Sequence, residues 1–159
     1  MTLNNLNERI AKKKIKMKFI KTFGKCGYMA RKNNNALFFT CSLVEYIGRT
    51  IKRNRREIIS FLGKERIARI YEYADVFHCE PIEKVANEFI EECEMTCGEF
   101  DNVKECRYLV PDYWNIGEVY ERLIEDSYSD EKIMDGLWEV YYQSIDYIAV
   151  CYKDGSVLI

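Results

Sequence analysis

Residues 36–62 read ALFFTCSLVEYIGRTIKRNRREIISFL, and the spacing of their apolar side chains decides the fold. Leu37, Cys41, Val44, Ile47 and Ile51 recur at steps of three and four, which places them on one face of an α-helix. Asn54 followed by Glu57 has the form of a capping box, in which two side chains close a helix N-terminus reciprocally. It predicts a short helix through Leu62, with Ile58, Ile59, Phe61 and Leu62 on its apolar side. Gly63 ends that helix, because glycine accepts the left-handed conformations found past a helix end.

The same periodicity extends outward. Ile67, Ile70, Tyr71 and Ala74 mark a further helix, and Pro81 takes a favourable first helical position. Ile82, Val85, Ala86, Phe89, Ile90 and Cys93 continue that last helix on one face. Residues 96–115 are irregular, with Gly98, Pro111 and the cluster YLVPDYW at 108–114, and predict a loop that packs aromatics onto helices. The aromatics of 108–120 are also candidates for a small-molecule pocket. Ile116, Val119, Tyr120, Leu123 and Ile124 give another helix. Ser129 is read as the cap of one more, with Asp130 and Glu131 in its first turn and Ile133, Met134, Leu137, Val140 and Tyr141 as its apolar side. The tail from Tyr147 reads either as a hairpin across Asp154-Gly155 or as a helix ended by Gly155. The helix is preferred, because nothing else in the chain offers a sheet to join.

Ahead of the periodic part, residues 7–25, NERIAKKKIKMKFIKTFGK, are lysine-rich, and Asn33, Asn34 and Asn35 form a polar break. The expected architecture is therefore all-α: a single-domain bundle of five to seven helices over 36–159, preceded by a basic N-terminal arm or helix over 1–35. The length of 159 residues suits one domain with a real core, and only 2 Pro and 8 Gly leave little punctuation for many strands. No apolar run is long enough to cross a bilayer, and the basic stretch is followed by more lysines rather than by the apolar core of a secretory signal. These features place the protein in the cytoplasm, with its 7 cysteines reduced.

Charge is divided unevenly. Residues 1–70 carry 18 Lys+Arg against 4 Asp+Glu, a formal +14, and residues 71–159 carry 6 against 22, a formal −16. The near-neutral total of −2 thus hides a strong asymmetry. It implies an anionic partner for one half, a basic partner for the other, or self-association of oppositely charged halves. Two candidate surfaces follow. The basic patch is Arg49, Lys52, Arg53, Arg55, Arg56, Lys64, Arg66 and Arg69. Two short helices separated by Gly63-Lys64 would give it a helix-turn-helix form able to bind phosphates. Against nucleic acid, the would-be recognition segment ERIARIYEYADVF lacks the Asn, Gln and Ser that read base edges. A solvated basic face is the more ordinary reading. The acidic face is Glu91, Glu92, Glu94, Glu99, Glu125, Asp126, Asp130 and Glu131.

Catalytic and metal signals are weak. His78 is the sole histidine, and its neighbour Cys79 points elsewhere on a helix, so adjacency does not make a dyad. Cys93 and Cys97 lack the matching second pair of a structural zinc site, and buried reduced cysteine is the commoner explanation. There is no phosphate-cradling glycine loop, GxSxG or HExxH. No cofactor, metal or catalytic residue is expected.

Over residues 37–90 the chain resembles a small bacterial helical domain family of unknown function, often encoded beside ADP-ribosyltransferase-like proteins. The resemblance lies at Tyr46, Glu57, Leu62, Ile67, Tyr71, His78, Val85 and Ile90. It implies an accessory or neutralising partner of a toxin-like transferase. The first functional expectation is thus a non-enzymatic interaction module, antitoxin- or immunity-like. The alternative is a nucleic-acid-binding regulator using the basic half.

Overall fold

The computed structural model describes residues 34–105 and 109–143. Residues 1–33 of the expected arm, the expected tail helix and Tyr108 lie outside them, while the arm's last two residues, Asn34 and Asn35, belong to the first helix as its cap and first residue. The described residues form six α-helices: α1 (Asn35–Ile51), α2 (Arg55–Glu72), α3 (Ala74–Phe77), α4 (Ile82–Glu92), α5 (Tyr113–Ser127) and α6 (Ile133–Gln143). A single 3-10 turn, Asp130–Lys132, precedes α6. No strand occurs among the described residues, and the fold is all-α. The chain divides into two compact units. The first is Lys32–Glu121, and the second takes in the described residues from Arg122 onward, so the boundary falls within α5.

In the first unit α1 is the element around which α2, α3 and α4 pack. Asn34 closes its N-terminus by accepting from the Leu37 N–H at 3.0 Å, and Lys52 ends it in the left-handed conformation at φ 55°. The five residues at three- and four-residue steps are all buried, as their spacing requires. The opposite side is buried too: every residue from Phe39 to Glu45 is enclosed, right around the helix. A one-sided reading missed this because Thr40, Ser42 and Glu45 look like solvent-facing residues. Thr40 and Ser42 instead donate to the carbonyl oxygens of Ala36 and Phe38, so their hydroxyls enter the core satisfied.

The Asn54–Glu57 capping box forms as read, with both reciprocal bonds present. Gly63 ends the first helical segment, as read. It sits at φ 70°, ψ 166°, outside helical geometry, and a second helical segment starts directly after it, so α2 is two helices joined at a kink. The two segments are joined through one residue, where a helix-turn-helix has a turn of three or four. Pro81 stands at the N-cap of α4, one position earlier than read. Ser129 has the extended backbone of a cap but makes no side-chain capping bond, and it opens the 3-10 turn instead of α6 itself.

The second unit is described over 122–143. Leu123, Ile124, Ile133, Leu137, Val140 and Tyr141 are its buried apolar residues. Gly136 lets the Tyr128 ring lie against α6, where a Cβ would come within 2.5 Å of it. The Tyr128 hydroxyl donates to Glu139 at 2.8 Å. Burial, then that carboxylate, raises the phenol far above its ordinary range.

Candidate functional site

Most of the basic patch is engaged by carboxylates, although only Arg55 is buried. Arg55 is buried and bonds Glu45, a carboxylate with no exposure at all, while Arg49 holds the other oxygen of Glu45 at 2.8 Å. A second nitrogen of Arg49 donates to the Pro111 carbonyl, also at 2.8 Å. Lys52 pairs with Asp101 at 2.8 Å. Arg53 reaches Glu57 and makes two bonds to Thr96, through its carbonyl and its hydroxyl. Lys52 and Arg53 thereby pin the 94–105 loop to the corner between α1 and α2, helped by Gly98 N–H to Ile51 and Phe100 N–H to Lys52. Arg66 and Arg69 both clasp Glu92 at the end of α4, at 2.9 and 2.6 Å. Their bonds hold the Glu92 carboxyl below its ordinary range. Lys52, Arg56, Lys64 and Arg69 are exposed.

The acidic residues separate into two groups. Glu91, Glu92, Glu94 and Glu99 belong to the first unit; Glu125, Asp126, Asp130 and Glu131 belong to the second. Glu91, Glu94 and Glu99 are exposed and, among the described residues, make no ion pair. Glu94 has φ 48°, a left-handed position past a helix end where glycine is the usual occupant. Glu91 and Glu94 also sit at a helix C-terminus, where the aligned peptide dipoles disfavour negative charge.

A cavity of about 400 Å³ opens in the first unit. Phe39 and Tyr46, seven residues apart on α1, form one wall. Tyr113 and Trp114, the first residues of α5, form another, and His78, Glu80, Pro81, Ile82 and Glu83 between α3 and α4 complete the lining. Two bonds fix the α5 wall: Asp112 accepts from the Asn115 N–H at 2.8 Å, and Arg49 holds Pro111. Ring pairs run around the cavity near right angles: Tyr46–Tyr113 at 5.0 Å and 85°, Phe39–His78 at 5.6 Å and 81°, His78–Trp114 at 6.2 Å and 87°. Trp114 is backed by Phe38, stacked at 5.5 Å. Glu80 is paired with Lys84, whereas Glu83 has no basic partner among the described residues. Burial raises the Tyr46 phenol, and the Glu83 charge adds to the shift, so Tyr46 stays neutral.

Of the family-like positions, Tyr46 and His78 meet at this cavity. Glu57 serves the capping box, and the Tyr71 hydroxyl accepts from Asn34 at 3.0 Å. Cys79 turns away from His78, its thiol donating to the Asp75 carbonyl. Burial pushes the Cys93 thiol up, against the partial pull of Arg66. No three metal-ligating side chains come together among the described residues, and no described helix is long and apolar enough to cross a membrane. Compared with protein-family models, with curated proteins and with solved structures, the chain has no match.

Sequence reasoning pointed to Tyr113 and Trp114 but missed Phe39 and Glu83. The seven-residue step from Phe39 to Tyr46 was the available signal, since it aligns two aromatics on one side of a helix.

Proposed function

We propose that this chain is a non-enzymatic interaction module that meets a basic protein partner through the carboxylates at the end of α4, in the manner of an antitoxin or immunity protein. One observation carries the reading. Glu91 and Glu94 stand exposed and unpaired where both the helix dipole and, at Glu94, the backbone conformation oppose them. Charge placed against local stability is expected where binding uses it. The pairing of Arg49, Lys52, Arg53, Arg55, Arg66 and Arg69 with carboxylates points the same way, because a paired cation is less available to a phosphate. The resemblance over 37–90 supports a toxin-like transferase as that partner.

The test is capture from host lysate after nuclease treatment, comparing the wild type with a Glu91→Gln, Glu94→Gln, Glu99→Gln triple variant. One protein held at low salt by the wild type, released as salt rises and absent from the variant is the expected result. Equal capture by both proteins overturns the acidic surface. Material that disappears on nuclease treatment moves the reading to nucleic acid.

A further inference from the structure

The aromatic cavity goes beyond the protein-partner reading and rests on different residues. Its walls combine two features. The rings of Phe39, Tyr46, Tyr113 and Trp114 line a space of about 400 Å³, with Tyr46 and Tyr113 set at 85° to one another. Glu80 and Glu83 supply carboxylates at the same cavity, and among the described residues no cation neutralises Glu83. An aromatic ring carries negative potential on its face and attracts a cation set over it. A carboxylate beside such rings adds attraction for positive charge and repels anions.

We propose that this cavity binds a small organic cation, an alkylated ammonium group, with the rings enclosing the alkyl substituents and Glu83 facing the charge. The group is apolar enough on its outside to replace water against aromatic walls, yet keeps the positive charge that the rings and Glu83 favour. A metal ion does not fit the same features, because His78, Glu80 and Glu83 do not converge as a ligand set and Glu80 is paired with Lys84. A phosphate or carboxylate ligand does not fit either, because it would meet those carboxylates.

Glu83 is exposed, so its exchange for glutamine should leave the core undisturbed. The experiment is calorimetric titration of the full chain with choline, and with 3,3-dimethylbutan-1-ol, which matches its shape without the charge, at constant ionic strength. Choline should bind roughly tenfold more tightly than the alcohol. Glu83→Gln should weaken choline by roughly two- to fivefold and leave the alcohol unchanged. Equal binding of the two probes would make the cavity merely apolar and overturn the proposal. So would the absence of binding by choline, or choline binding that is indifferent to Glu83→Gln.

Discussion

Glu45 joins two arginines inside the first unit. It is fully buried in the middle of α1, and its two oxygens take Arg49 and Arg55. Arg55 in turn lies over the Tyr120 ring at 5.5 Å. Glu45→Gln keeps the shape and removes the charge, leaving a buried guanidinium beside a neutral amide. The expected loss is about 3 kcal/mol of unfolding free energy, measured by urea denaturation, because breaking one side of a buried pair exposes the other to its desolvation cost. A loss below about 0.5 kcal/mol would mean that water reaches Arg55. At the surface the consequence is a pH dependence instead. The Lys52 ammonium, with the N–H groups of Lys104 and Val103, lowers the Asp101 carboxyl to about 2. An unfolded Asp titrates near about 3.9. A depressed folded value stabilises the native state fully above that pH, and the stabilisation disappears as pH falls through about 2. Thermal midpoints measured from pH 5 to pH 2 should therefore fall less steeply in Asp101→Asn than in the wild type. Parallel curves would show that the 94–105 loop stays docked without its anchor.

The approach of α1 and α5 shows how two helices can meet through small residues. A Cβ at Gly117 would lie 2.0 Å from the Ser42 hydroxyl oxygen and 2.8 Å from the Ser42 nitrogen. Helix propensity alone favours Gly117→Ala by about 1 kcal/mol. Packing reverses the sign: the added methyl meets backbone that cannot swing aside, and about 2 kcal/mol of net destabilisation is expected. Urea unfolding of Gly117→Ala decides it, and a midpoint at or above wild type would mean that α5 can lift from Ser42. This is also where the sequence stops being readable. The Asn54–Glu57 box and the apolar spacing of α1 are local, so they can be recognised without a partner. Gly117 looks like any glycine in a helix until Ser42 is placed opposite it. Gly63 by contrast is legible: it signals the break, and the spacing of Ile67 and Ile70, both buried, signals the helix beyond it. The cavity is half legible, for the reason that applies at Gly117. The cluster YLVPDYW advertises aromatic residues, while Phe39, Tyr46 and Glu83 meet it only through the packing of α1 and α4.

For the whole chain, what matters is which charges remain after folding. The formal +14 of residues 1–70 overstates the cationic surface of the described helices, since Arg55 is buried and Arg49, Lys52, Arg53, Arg66 and Arg69 are engaged by Glu45, Asp101, Glu57 and Glu92. The lysines of 12–18 lie outside that accounting. Two kinds of association can therefore be told apart. A basic protein partner held by Glu91, Glu94 and Glu99 should be captured equally well by a variant with Lys12, Lys13, Lys14, Lys16 and Lys18 changed to Gln. Nucleic acid would respond in the opposite sense. Each phosphate that the protein no longer neutralises lowers the slope of log affinity against log salt by about 0.9 for duplex DNA. The five lysine changes together should thus flatten that dependence sharply, while the triple glutamate variant leaves it alone. Capture and filter-binding titrations of both variants across a salt series make the comparison. The acidic-surface reading expects partner capture to follow the glutamates and to ignore the lysines. Partner capture that follows the lysines instead would place the working surface in the lysine-rich stretch of 12–18 and leave the carboxylates of α4 without that role.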